Sequence, residues 1–230
     1  MDSIYFYDSS SLYVQLFISS TLNWSQKGIT ITQSTTYPVS DTSTITITSG
    51  SGSFAMKVRI PAWTSGAQIT INGASAGVTI TSGSYASISR TWAAGDVVKV
   101  KIPLQLRAIN ANDNSSLAAI AYGPVVLCGN YGSQTFSSAP TLTLGSITRV
   151  TSSSTLQFTA TANGATVTLV PMYDGQGFNY VVYWTKSGTL PTTAVSPLPI
   201  GTAVQTTETT VQTTPTTVKT TASATPTGAW

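Results

Sequence analysis

The chain has 230 residues, with 10 Lys+Arg against 7 Asp+Glu, one Cys and no His. That length suffices for one large or two small β domains with a real core. A net charge of +3 spread this thinly, with no basic run interleaved with aromatics, argues against nucleic acid as a partner. The absence of His excludes a His-dependent triad and a zinc site of the usual Cys/His kind, and one Cys excludes an intrachain disulfide.

From the N-terminus, Leu12, Val14, Leu16 and Ile18 alternate with Tyr13, Gln15 and Phe17, which predicts one strand buried on both faces. Asn23-Trp24 and Gln26-Lys27-Gly28 read as a turn, and Gly28–Thr32 as a short strand through Ile29 and Ile31. Ile45 and Ile47 mark another strand, closed by Gly50-Ser51-Gly52. Residues 53–105 form the organising stretch. Phe54, Met56, Val58 and Ile60 alternate with Ala55, Lys57 and Arg59, and Val98, Val100, Ile102 and Leu104 do the same with Lys99, Lys101 and Pro103. A period of two means one face in a core and one in water. Asn72-Gly73 is a hairpin signal, because both residues tolerate positive φ, and Ala94-Gly95-Asp96 is the next tight turn. The expectation is an antiparallel, jelly-roll-like β-sandwich over residues 1–130.

Asn110 to Asn114 is a polar loop. Leu117–Ala121 and Val125–Cys128, around Tyr122-Gly123-Pro124, read as central strands, and Gly129–Pro140 as a loop. A second, smaller β unit over 131–188 takes in Leu142 and Leu144, the hairpin signal Asn163-Gly164, and a last strand with Phe178, Tyr180, Val182 and Trp184 on one face. From about residue 189 Thr and Pro dominate, and 189–230 resemble an O-glycosylated, disordered linker. The fold class is all-β, with no helix expected. No run of about 18 apolar residues exists, so no membrane-spanning helix and no membrane partner are expected.

The chemistry-bearing residues are few. Glu208, the one Glu, lies in the Thr/Pro stretch, Asp2 and Asp8 near the chain start, and Asp41, Asp96, Asp113 and Asp174 in turns, where Asp serves backbone hydrogen bonds. A glycosidase ordinarily needs two carboxyl groups flanking one bond, and no such pair is legible. Cys128 sits in the apolar run Val125–Leu127 and reads as a buried structural thiol. Trp24, Trp63, Trp92, Tyr131, Tyr173 and Trp184 could stack on sugar rings. Packing is the simpler reading for Trp63, Trp92 and Trp184, which leaves Trp24 and Tyr131 as loop aromatics for carbohydrate contact. Asn23-Trp24-Ser25 and Asn114-Ser115-Ser116 are N-glycosylation sequons. They suit a secreted, extracellular protein, yet Met1–Ile4 lacks the charged start and apolar run of an export signal. The expectation is a C-terminal piece of a longer secreted precursor.

Several motifs, in order, resemble one family. Leu12–Ile18 with Leu22-Asn23-Trp24, Arg59-Ile60-Pro61-Ala62-Trp63, Ile71-Asn72-Gly73, Ser89-Arg90-Thr91-Trp92, Gly95-Asp96, Tyr122–Leu127, and Pro171-Met172-Tyr173 with Tyr180–Trp184 are similar to the region that follows the barrel in glycoside hydrolase family 127, the β-L-arabinofuranosidase-like enzymes. The resemblance spans roughly residues 4–185. It implies a relative whose nucleophilic Cys, zinc-binding Cys cluster and catalytic Glu belong to a preceding (α/α)6 barrel. No position here matches them, so no catalytic, cofactor or metal residue is carried over, and zinc is expected only in that barrel. The barrel of the parent chain is then the expected partner, with a polysaccharide or glycan. The tail resembles the linker that leads to a small cellulose-binding module in fungal enzymes, with Trp230 at its end. Two functions stay open: an accessory β region of a secreted glycosidase acting on L-arabinofuranose-containing glycans, and a stand-alone secreted carbohydrate-binding module.

Overall fold

The computed structural model describes residues 4–191. Asp2, Glu208, Trp230 and all but the first residues of the expected linker lie outside the described residues. The described chain is all-β, as the alternation predicts, with single 3₁₀ turns at Ser25–Lys27 and Met172–Asp174.

Ten strands build a sandwich: β1 (Tyr5–Tyr7), β2 (Ser11–Val14), β3 (Ser20–Trp24), β4 (Ile29–Thr35), β5 (Thr42–Ser49), β6 (Ser51–Arg59), β7 (Gln68–Ile71), β8 (Ala74–Ser75), β9 (Tyr85–Ala93) and β10 (Val97–Lys101). One sheet runs β1-β2-β6-β9 and the other β3-β4-β5-β10-β7-β8. All pairs are antiparallel except β2 with β6. The inward residues are those the period of two selects: Phe54, Met56 and Val58 on β6, Ile45 and Ile47 on β5, Val98 and Val100 on β10. A line of aromatics fills one end. Trp24 meets Phe54 edge-on at 5.2 Å, and Phe54 stacks on Trp92 at 5.7 Å. The buried Trp92 indole N–H donates to the Phe54 carbonyl at 3.1 Å, so the ring's polar handle is satisfied inside the core.

The hairpin signals hold. Asn72 and Gly73 adopt φ of 51° and 86° between β7 and β8. Asn72 also clamps the neighbouring turn: its Nδ2 donates to Asp96 Oδ1 and its Oδ1 accepts from the Val97 N–H, both at 2.8 Å. The first strand is shorter than the alternation predicts. It stops at Val14, after which residues 15–19 cross from one sheet to the other. The buried Gln33 holds this crossing, its Nε2 donating to the carbonyls of Leu16 (3.0 Å) and Ile18 (2.8 Å). The Ile18 side chain is thereby left half exposed.

The remaining strands are β11 (Leu106–Asn110), β12 (Leu117–Tyr122), β13 (Val125–Asn130), β14 (Thr141–Arg149), β15 (Phe158–Ala162), β16 (Ala165–Pro171), β17 (Tyr180–Val181) and β18 (Tyr183–Ser187). They form one sheet in the order β11-β12-β18-β14-β15-β16-β13-β17, and β12 also pairs with β13. That pairing closes β12-β18-β14-β15-β16-β13 into a β-ring with a core of its own, filled by Tyr122, Leu127, Leu142, Phe158, Leu169 and Trp184. Closure removes the free edges that an open sheet would present.

Hydrogen bonding puts the change of sheet well before residue 130. Ile102 packs in the sandwich core and Leu104 in the ring core. Pro103 lies between them and has no N–H to continue a ladder. Strands β11 to β13, grouped by the sequence with the first β unit, belong to the ring. The expected last strand is also divided: β17 pairs with β13, while β18 pairs with β12 and, in parallel, with β14.

Candidate functional site

One hollow lies at one end of the β-ring. It has a volume of about 600 Å3 and lies between the loop after β13 and the β15–β16 hairpin, with Tyr131, Gln134, Phe136 and Asn163 among its walls. A second hollow, of about 420 Å3, shares Tyr131, Gln134, Thr135 and Phe136 and adds Phe178 and Tyr180. The two share Tyr131 and Phe136, whose rings meet edge-to-face at 4.7 Å. Tyr131 is held from below. The Trp184 indole N–H donates to its hydroxyl at 3.3 Å, and its ring covers Gly129, where an added Cβ would come within 2.8 Å of it. Burial pushes the Tyr131 phenol pKa up, so it stays protonated across the physiological range. Phe136 is 38% exposed.

Two asparagines at the rim have fixed orientations. Asn130 Oδ1 accepts the Gly132 N–H at 3.0 Å, and Asn163 Oδ1 accepts the Thr141 N–H at 2.8 Å. Each therefore has its Nδ2 donors on the opposite side of the amide. Asn163 occupies the left-handed position (φ 49°) of the hairpin that the sequence predicts.

Of the two loop aromatics proposed for carbohydrate contact, only Tyr131 lines a hollow. Trp24 is corrected: it is the last residue of β3, 1% exposed, and packs between Tyr7 and Phe54, so neither ring face can meet a sugar. Its polar neighbours Asn23 and Ser25 point outward and make the segment read as a loop. Phe136 carries no period or motif and is missed by sequence reasoning; a lone large aromatic in a polar loop is the signal that could have found it. Both sequon asparagines are exposed. Asn23 Oδ1 accepts from Thr30 Oγ1 at 3.0 Å, and Asn114 Oδ1 accepts from the Ser116 N–H at 3.0 Å. Cys128 is fully buried beneath Gly175, and burial raises its thiol pKa, the opposite of what a nucleophile needs.

Three of the described carboxylates are held by hydrogen bonds. Asp8 Oδ1 accepts the backbone N–H groups of Ser10 (2.8 Å) and Ser11 (2.7 Å) as well as the Ser10 hydroxyl, and these bonds hold its pKa down to about 2. Asp96 is lowered by Asn72, by the Ala93 N–H and by Arg90. Asp41 accepts from Thr42 Oγ1 at 2.8 Å and faces Lys101 at 3.7 Å. A carboxyl group whose folded pKa lies below its unfolded value contributes stability above the unfolded pKa, near 3.9, and loses it as pH falls. The urea midpoint is therefore expected to drop between about pH 4 and pH 2, and to drop less steeply in an Asp8→Asn/Asp96→Asn double variant. Equal slopes in the two proteins would show that these turns do not govern acid sensitivity. Among the described residues no three Cys, His, Asp or Glu side chains cluster as metal ligands.

A third hollow, of about 300 Å3, lies where the sandwich meets the β-ring. Phe17, Ile18, Tyr37, Trp63 and Tyr173 line it, with Arg59 the charged residue among its walls. Ile18 and Tyr173 are 50% and 60% exposed. The wall at Gln15 and Leu16 is tied to the start of the described chain, since both N–H groups donate to the Ile4 carbonyl, at 2.9 and 3.4 Å.

The sandwich strands β2 to β10 coincide with a family-model match. Residues 11–104 match the family model described as the β-L-arabinofuranosidase GH127 middle domain. This stretch is similar to a GH127 middle domain. Among solved structures, a GH127 β-arabinofuranosidase superposes with a TM-score of 0.66 at 24% identity, over 85% of this chain and 37% of its own length. A GH127 β-L-arabinofuranosidase from Geobacillus stearothermophilus T6 gives 0.66 at 23% identity, over 80% of this chain and 35% of its own. A third, described as a glycoside hydrolase, gives 0.65 at 21% identity, over 80% and 37%. At these identities the likeness is one of fold. The chain thus spans little more than a third of each structure's length. No curated protein matches it in sequence. The resemblance read from the sequence is borne out, and the match to the GH127 middle-domain model ends at Leu104, where the chain enters the core of the β-ring.

Proposed function

We propose that this chain is the non-catalytic β region of a secreted glycoside hydrolase acting on L-arabinofuranose-containing glycans, and that it braces a catalytic (α/α)6 barrel. The observation that carries this reading is the match to the GH127 middle-domain model at residues 11–104, in a chain where Asp8, Asp41 and Asp96 are each held by hydrogen bonds and the two other described carboxylates, Asp113 and Asp174, lie apart in a loop and a 3₁₀ turn. Hydrolysis by a carboxylate pair needs one group to donate a proton and another to attack or activate water across one bond, and side chains held in this way do neither. The exposed sequons at Asn23 and Asn114 support secretion with N-glycans.

The groove at Ile18 and Tyr173 is the seat this reading assigns to the barrel. Large apolar side chains exposed side by side mark a contact surface, and the Ile4 carbonyl joins that wall to the end of the chain where the resemblance places the barrel. The test is arabinofuranoside hydrolysis by this chain alone, by a family 127 barrel lacking its β region, and by the two mixed. No turnover by the chain alone and a more active or more heat-stable mixture are expected. Ile18→Glu/Tyr173→Glu is expected to abolish that gain while changing the chain's own unfolding free energy by no more than about 0.5 kcal/mol per substitution, as for surface substitutions. Turnover by the chain alone would overturn the accessory role, and an unchanged gain in the double variant would overturn the seat.

A further inference from the structure

We propose that the paired hollows at the end of the β-ring form a binding site for a neutral oligosaccharide, with Phe136 as its stacking platform. The site is independent of the barrel and of the groove at Ile18.

The lining chemistry selects the ligand. Neither hollow has a Lys, Arg, Asp or Glu in its walls. A phosphate, a nucleotide or a uronic acid would enter without a counter-charge, at a cost that an uncharged ligand avoids. The walls instead combine aromatic rings with amides and hydroxyls: Phe136 and Tyr180, 38% and 47% exposed, and Gln134, Thr135, Asn163 and Thr166. A pyranose or furanose ring has the matching character, with apolar C–H groups on a face and hydroxyls around the edge. The volumes, about 600 and 420 Å3, fall in the range of small-molecule sites, roughly 300–1,000 Å3. Two hollows that share Phe136 in their walls suit a ligand of several sugar units in contact with that ring.

The site is also organised in advance. Trp184 fixes the Tyr131 hydroxyl, Tyr131 backs Phe136 edge-on, and bonds to the backbone fix the rotamers of Asn130 and Asn163. Asn179 Nδ2 reaches across to the Gln134 carbonyl at 3.1 Å, tying the loop to the strand β17 side. Binding then costs little ordering of side chains. A purely apolar partner would leave those amides without partners, which favours a ligand rich in hydroxyls.

The experiment is a titration of the full chain, followed by side-chain amide NMR, with neutral tetrasaccharides (arabino-, xylo- and cello-oligosaccharides) and with tetragalacturonate. At least one neutral sugar is expected to move the Asn130, Gln134 and Asn163 amide signals in a saturable way, and tetragalacturonate is expected to move none. Phe136→Ala, at an exposed loop position, should weaken binding by about tenfold, the size of a lost aromatic contact. Gln134→Ala should weaken it with the fold intact, as read from the remaining amide spectrum. Silence with every neutral sugar at saturating concentration, binding unaffected by Phe136→Ala, or a preference for the acidic sugar would each overturn the proposal.

Discussion

Trp24→Ala is expected to lower the unfolding free energy by about 3–5 kcal/mol, as for other fully buried Trp and Phe truncations. The indole is 1% exposed and sits in the aromatic line Tyr7, Trp24, Phe54, Trp92, so its removal opens a cavity whose walls are themselves large rings that cannot collapse into it. Urea unfolding followed by circular dichroism would read this as a lower midpoint at an unchanged slope. Trp24→Phe keeps a ring against Phe54 and should cost much less. Were Trp24 a sugar platform, the alanine variant would instead keep its midpoint and lose binding. A loss below about 1 kcal/mol, in the range of ordinary surface substitutions, would contradict the packing described here.

Gly50→Ala should be nearly as damaging for a different reason. Gly50 links β5 to β6 at φ 80°, a conformation that strains an L residue by about 1–3 kcal/mol. Its added Cβ would also overlap the carbonyl oxygen of Gly28, which is backbone and cannot rotate away. To make room, the segment at Gly28 and Ile29 must part from β5, opening the Thr30–Ser49 end of their ladder. The combined loss is expected to exceed about 3 kcal/mol, and amide exchange should show the β4–β5 end opening first. Gly28→Ala provides the control. Its φ is 64°, but nothing lies within 4 Å of the added Cβ, so only the conformational strain of about 1–2 kcal/mol applies. Equal losses at the two glycines would show that the close approach at Gly50 contributes nothing.

Local rules account for much of what was legible. Asn72-Gly73 and Asn163-Gly164 declare their hairpins because few other residue pairs accept two positive φ values, and both turns are where the chain places them. The inward sets on β6 and β10 follow from alternation alone. The candidate site was half visible. Tyr131 stands out as a loop aromatic, while Phe136 becomes meaningful only when the loop folds back onto Tyr131 and the hairpin at Asn163 rises opposite it. Trp24 misled in the other direction, because polar neighbours hide an inward residue at the end of a strand whose partner, β4, follows only after a turn.

The sequence by itself determined that this chain is all-β, where its tight turns fall, which residues of its longest strands face a core, and which family its middle domain resembles. Each of these is written within a few residues, by period-two burial or by the φ a residue tolerates. Only the tertiary structure decided how the strands are shared between cores. Val98, Val100, Ile102 and Leu104 alternate without interruption, yet the chain leaves one core and enters another at Pro103. Closure of the β-ring depends on β12 meeting both β13, its neighbour in sequence, and β18, more than 60 residues away. Strand pairing over such distances is chosen by which closed arrangement leaves fewest backbone groups and apolar faces in water, a property of the whole chain that no short window of residues contains.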